Sequence, residues 1–125
     1  MSEVSILNDS KLFDREDFVE RLMGDEDLAK GILSVFIQDM ASQFVRLAQA
    51  LAAGDTKALR MASHSVKGAA GSVSAPEMQE KARELEASAA IGDLVAASTV
   101  LPELVSSFDR TRPLMERFCD GVVGQ

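Results

Sequence analysis

The chain has no tryptophan, no tyrosine, one histidine and one cysteine. Each scarcity excludes something. Six phenylalanines are its whole aromatic content, too few and too apolar in setting to suggest a platform for stacking unpaired bases. A single cysteine, Cys119, can form no intramolecular disulfide and supplies no cysteine-pair zinc site; it fits a reducing cytoplasm. Positive charge is the minority sign. Thirteen Lys and Arg against 20 Asp and Glu leave a formal net charge of −7, which argues against nucleic acid or an anionic membrane as the main partner. No apolar run approaches the length of a membrane span. The opening stretch, MSEVSILNDSKLFD, carries Glu3 and Asp9 and lacks a basic start followed by a long apolar run, so it does not read as a secretory signal. No segment alternates with period two, so no sheet is expected.

What is present is helical. A length of 125 residues suits one domain, 1–125, with an ordered bundle over 13–119 and frayed ends, the tail DGVVGQ among them. One dipeptide recurs: Gly24-Asp25, Gly54-Asp55 and Gly92-Asp93. Glycine ends a helix by taking a left-handed conformation, and aspartate starts the next by accepting from its free amides. A fourth boundary is read at SAPE, where Ser74 and Glu77 have capping-box spacing and Pro76 suits a first turn.

These marks predict a short helix near Asp14 to Met23 and four longer ones. The second covers about Asp25 to Ala53, with Leu28, Ile32, Val35, Phe36, Met40, Phe44, Leu47 and Leu51 as its apolar stripe. The third covers Asp55 to Val73, with Leu59, Ala62, Val66, Ala69 and Val73. The fourth runs from Ser74 to Ile91, with Met78, Ala82, Leu85 and Ala89. The fifth starts at Asp93 and carries Leu94, Ala97, Leu101, Leu104, Phe108, Thr111, Met115 and Phe118. Steps of three and four give each helix one face to bury. Short connections make neighbours antiparallel. The expected fold is all-α: an antiparallel up-down four-helix bundle capped by the short N-terminal helix. Pro102 and Pro113 predict a bend and a break in the last helix.

The lone histidine, His64, lies in MASHSVKGAAGSVSA with two glycines, Gly68 and Gly71, inside a helical pattern. At about 100° per residue, Leu59, Ala62, Val66, Ala69, Ala70 and Val73 share one side, and His64 falls roughly opposite. Lys57, Arg60, Lys67, Gly68 and Gly71 fall near it. Each interior glycine weakens a helix by about 1 kcal/mol relative to alanine. Two of them beside an exposed imidazole suggest clearance for another protein's surface. Packing against the chain's own helix end or loop is the plainer explanation, as an inert surface histidine is for the ring. A metal or haem site is disfavoured by the lack of Glu-x-x-His or His-x-x-x-His spacing. A Ser-His-Asp hydrolase is disfavoured because Ser63 and Ser65 are adjacent residues that do not face the ring. A nucleophilic histidine that accepts a phosphoryl group fits best, with Lys67 one turn on as the cation and the glycines giving room.

The stretch HSVKGAAGSV resembles the signature of the histidine-containing phosphotransfer (HPt) domain family, His-x-Leu-Lys-Gly followed by small residues. The flanks AAGDTKALRMASH and KARELEASAAIGDL, and VLPEL in the last helix, are similar to that family too. The resemblance covers roughly Asp14 to Phe118. It implies a phosphorelay intermediate that takes phosphate from a receiver-domain aspartate and passes it to another. By position, His64 is the phosphorylated residue, through Nε2. Lys67 would neutralise the phosphoryl group, Glu86 would orient the ring, and Arg60, Gly68 and Gly71 would border the docked receiver. The implied partners are response-regulator receivers and hybrid sensor histidine kinases. The chain is expected to be a cytoplasmic monomer with no bound cofactor; Mg2+ would belong to the receiver. Two departures stand out: Val66 replaces the usual leucine, and Ser74 stands where many members have glycine. With no Gly-rich phosphate loop in the sequence, a carrier is expected rather than an ATP-dependent kinase. A helical adaptor that binds receivers without using His64 is the alternative.

Overall fold

A computed structural model describes residues 9–121. The reading of the opening stretch as no signal falls largely on residues 1–8, and that of a frayed tail largely on 122–125, outside the described residues. Residues 9–12 are helical. Five helices follow: α1 Arg15–Arg21, α2 Glu26–Ala53, α3 Thr56–Ser72, α4 Pro76–Ala90 and α5 Leu94–Cys119. No strand occurs among the described residues.

The repeated Gly-Asp pairs act as the sequence implies. Gly24, Gly54 and Gly92 all have positive φ, at 81°, 66° and 73°. Asp25, Asp55 and Asp93 each accept a hydrogen bond from the amide three residues on, at 3.0 Å in each case. Asp14 does the same for α1. Every such turn is short, so α2 to α5 run up and down. Each packs on its chain neighbour, and α5 closes the ring against α2.

The core is the shared side of those four helices: Leu33, Met40 and Leu47 of α2, Leu59 and Val66 of α3, Met78 and Leu85 of α4, and Leu104 and Met115 of α5, all fully buried. Two aromatic groups close it. Phe108 meets Phe36 and Phe44 edge-on, and Phe13 meets Phe18 and Phe118. The second group seats α1 across one end of the bundle, as the capping helix. There the Asp14 amide donates to the Ser74 carbonyl at 2.8 Å, and the Arg21 guanidinium donates to the Gly71 carbonyl at 3.0 Å.

Three expectations need correction. Leu28 and Val35 do not join the α2 stripe but stay exposed. Each precedes a position on the buried line Ala29, Leu33, Phe36 and Met40, which rotates it about 100° outward. The capping box at SAPE does not form. Ala75 is the N-cap of α4 and makes no side-chain cap bond. Ser74 instead has φ 56° and gives its hydroxyl to Asp17 Oδ2 at 2.7 Å, while Glu77 pairs with Arg110. Finally, α5 is helical through both prolines without a break. Pro102 and Pro113 lie on its exposed face. Water can reach carbonyls that lack a donor there, and the buried positions between hold the helix in place.

Candidate functional site

His64 sits near the middle of α3, on the side away from Leu59, Val66 and Ala70, which are buried. Its side chain is 68% exposed. Ser63 and Val66 go into the core on either side of it, and Ser63 ties its hydroxyl back to the Leu59 carbonyl at 2.6 Å. The ring is therefore held out in solvent by a helix whose opposite face is locked.

Glu86 reaches the ring from α4. Its backbone position is fixed by Ala82, Leu85 and Ala89, all buried on the same helix. One carboxylate oxygen, Oε2, lies 2.8 Å from His64 Nδ1. The other, Oε1, lies 2.7 Å from Lys67 Nζ. The carboxylate is thus a bridge between two residues one turn apart on α3. The Lys67 hydrogen bond, helped by that from His64, outweighs the effect of partial burial and holds the Glu86 carboxyl below its ordinary range. Because the carboxylate can only accept, Nδ1 is the donor in the neutral ring and the lone pair lies on Nε2. Lys67 keeps two ammonium hydrogens that Glu86 does not use.

The remaining sequence candidates separate. Gly68 is exposed, and a Cβ built on it meets nothing within 4 Å. Gly71 does not offer the same clearance: a Cβ there would lie 2.6 Å from the Gln79 amide nitrogen. The Gln79 side chain of α4 lies over it, so Gly71 faces the chain itself rather than open solvent. Arg60 is exposed and forms no ion pair among the described residues. No cluster of three or more ligating side chains suited to a metal occurs among the described residues, and no helix there is long and apolar enough to cross a membrane.

A ring of four antiparallel helices that presents one solvent-facing imidazole, backed by a carboxylate and an ammonium, defines a class of helical bundle with a single exposed histidine. Comparison with known proteins narrows the class. The Hpt domain model matches residues 31–113, and the chain belongs to that family. The fold is similar to the crystal structure of histidine-containing phosphotransfer protein B (HptB) from Pseudomonas aeruginosa PAO1. That match has a TM-score of 0.82 and 28% identity, and covers 87% of this chain and 95% of that one. No curated protein matches the sequence. Membership makes this a histidine phosphotransfer domain of the phosphorelay type.

Proposed function

We propose that the protein is a phosphocarrier that receives a phosphoryl group on His64 Nε2 from the aspartyl phosphate of one receiver domain and delivers it to the aspartate of another. The observation that carries this reading is the 2.8 Å contact of Nδ1 with Glu86, which leaves the opposite nitrogen as the free nucleophile in solvent.

In the forward step the Nε2 lone pair attacks phosphorus. The Nε2–P bond forms as the bond from phosphorus to the acyl oxygen breaks, and the receiver carboxylate leaves with that electron pair. The ring gains positive charge, which the Glu86 carboxylate offsets through the Nδ1 hydrogen. The Lys67 ammonium, one turn away, turns its unused hydrogens to the phosphoryl oxygens. Gly68 leaves the approach open. Transfer onward reverses the same atoms. Phosphoryl transfer depends mainly on positioning and charge, so these few groups suffice. The chain supplies no ATP-driven step in this scheme; Mg2+ belongs to the receiver, at its acyl phosphate. The same reading has the carrier working as a monomer in the cytoplasm, meeting receivers and hybrid kinases.

An adaptor that merely binds receivers predicts no covalent label. The test is incubation with a radiolabelled phosphorylated receiver. The wild type takes label, and His64→Gln folds but takes none. Label retained by that variant would remove His64 from its role.

A further inference from the structure

Helix α2 carries few charges. Between Leu28 and Ala53 only Lys30, Asp39 and Arg46 are charged, whereas the 15 residues of α4 hold Glu77, Glu80, Lys81, Arg83, Glu84 and Glu86. Two opposite lines run along α2. Leu33, Met40 and Leu47 are fully buried and define the core side. Gly31, Val35, Gln38, Ser42, Val45 and Gln49 lie on the far side, and all are exposed. Their alternating steps of four and three are the spacing by which one helix lies along another. Val35 and Val45 are 66% and 55% exposed. Ser34, Ala41 and Ala48 flank the line on one side, small enough for a second helix to come close. Depletion of charge, more than apolarity alone, marks the centre of an interface.

The two exposed charges on this face say what covers it. Asp39 and Arg46 stand seven residues apart in one column on the other flank of the line. About 10.5 Å of helix rise separates them, and neither forms an ion pair among the described residues. Asp39 accepts from the Gln43 amide of its own helix. A column that reads acid, then base, is complementary to its own reverse. With a second α2 antiparallel to the first and a two-fold axis level with Ser42 and Gln43, Asp39 of each copy comes level with Arg46 of the other. In that register Val45 of each copy faces the gap between Gln38 and Ser42 of the other. Gly31 comes level with Gly54, at the α2–α3 turn of the second copy, and a Cβ built on Gly31 meets nothing within 4 Å. At a net charge of −7, two copies repel over most of their surface, so a nearly neutral face is where they meet at least cost.

We propose that two copies of the chain associate through the exposed face of α2, antiparallel, with Asp39 and Arg46 pairing across the two-fold axis. The contact runs along roughly 22 Å of one helix, small against a standard interface, so the association is weak and reversible. His64, Lys67 and Glu86 all belong to one chain, on α3 and α4. The pairing adds no residue to that site and leaves the ring open. The working unit stays the monomer, and α2 decides only whether monomers associate. The pairing is independent of the phosphocarrier reading and stands or falls without it.

The test is sedimentation equilibrium of the full chain from micromolar to millimolar protein. The wild type is expected to form dimers and nothing larger, since a two-fold contact closes on itself. Asp39→Arg and Arg46→Asp each set like charges against one another twice, and each should weaken the dimer by roughly tenfold or more. Mixed in equal amounts, those two variants should associate about as well as the wild type, because each supplies the charge the other lacks. Val35→Asp/Val45→Asp should be monomeric throughout. Phosphoramidate, a small phosphoryl donor, checks that the variants keep their fold and site; its P–N bond breaks as Nε2–P forms, and ammonia leaves after taking up a proton. It should label His64 equally in all of them. A wild type that stays monomeric to millimolar protein would overturn the inference. So would single variants that dimerise as the wild type does, or that fail to recover on mixing.

Discussion

Glu86 is the residue on which the chemistry proposed for His64 turns. Its carboxyl is held below the ordinary range, first by the Lys67 hydrogen bond and then by that from His64. A carboxyl depressed in the fold contributes stability above its unfolded value and loses it as pH falls through the folded value. The bridge to Nδ1 and Lys67 is therefore complete at neutral pH and comes apart only in acid, below the usual carboxylate range. Glu86→Gln keeps the size but removes the charge. It should slow acceptance by roughly tenfold, about 1.4 kcal/mol of barrier, and 15N shifts of the ring should show loss of the pure Nδ1–H tautomer. Lys67→Ala should slow transfer by a similar order or more while leaving that tautomer intact. Unchanged rates in both variants would reduce the bridge to a surface ion pair. The exposure of His64 and the nearness of Lys67 were legible from helical periodicity, since both lie on one helix. The grip of Glu86 on both was not, because the relative register of α3 and α4 is set by the packing of their buried faces, which carry Val66 and Ala70 on one and Ala82 and Leu85 on the other, rather than by local spacing.

At the scale of the element, two glycines on one helix stand in different surroundings. Gly68 has open space before it and Gly71 has Gln79. Gly68→Leu should fold at least as well as wild type, since leucine is the better helix former by several tenths of a kcal/mol, yet dock receivers poorly. Gly71→Ala displaces only the far end of the flexible Gln79 side chain; it should leave both folding and transfer near wild type. Thermal melts and transfer rates on the pair separate clearance from packing, and equal transfer by Gly68→Leu would contradict the role given to Gly68. Element ends were readable wherever glycine and aspartate stood together, because both signals are local. The α3–α4 turn was misread because its serine answers to a distant residue. Ser74 holds a left-handed φ, the conformation glycine takes at least cost, and offsets it through Asp17 on α1, 57 positions away. Nothing local in SAPE announces that contact.

For the whole molecule, the bundle and its core were largely legible, since periodicity alone assigns Leu59, Met78, Leu85, Leu104 and Met115 to the interior, where they lie. Leu28 and Val35 misled because one helix of 28 residues carries apolar groups on more than its core line. The buried core holds His64 out on an exposed face. Leu104→Ala, fully buried in α5, should lower unfolding free energy by about 2–5 kcal/mol in a denaturant titration, while the folded fraction still reacts with phosphoramidate at His64; loss of that reactivity in folded protein would mean that core and site are not separable. The central claim is that Glu86 ties down one ring nitrogen and leaves the other to carry phosphate. The direct measurement is 31P and 15N NMR of the protein phosphorylated by a receiver. The account predicts one phosphoryl group on His64 Nε2 with Nδ1 still protonated; phosphate on Nδ1, or on any residue other than His64, would contradict it.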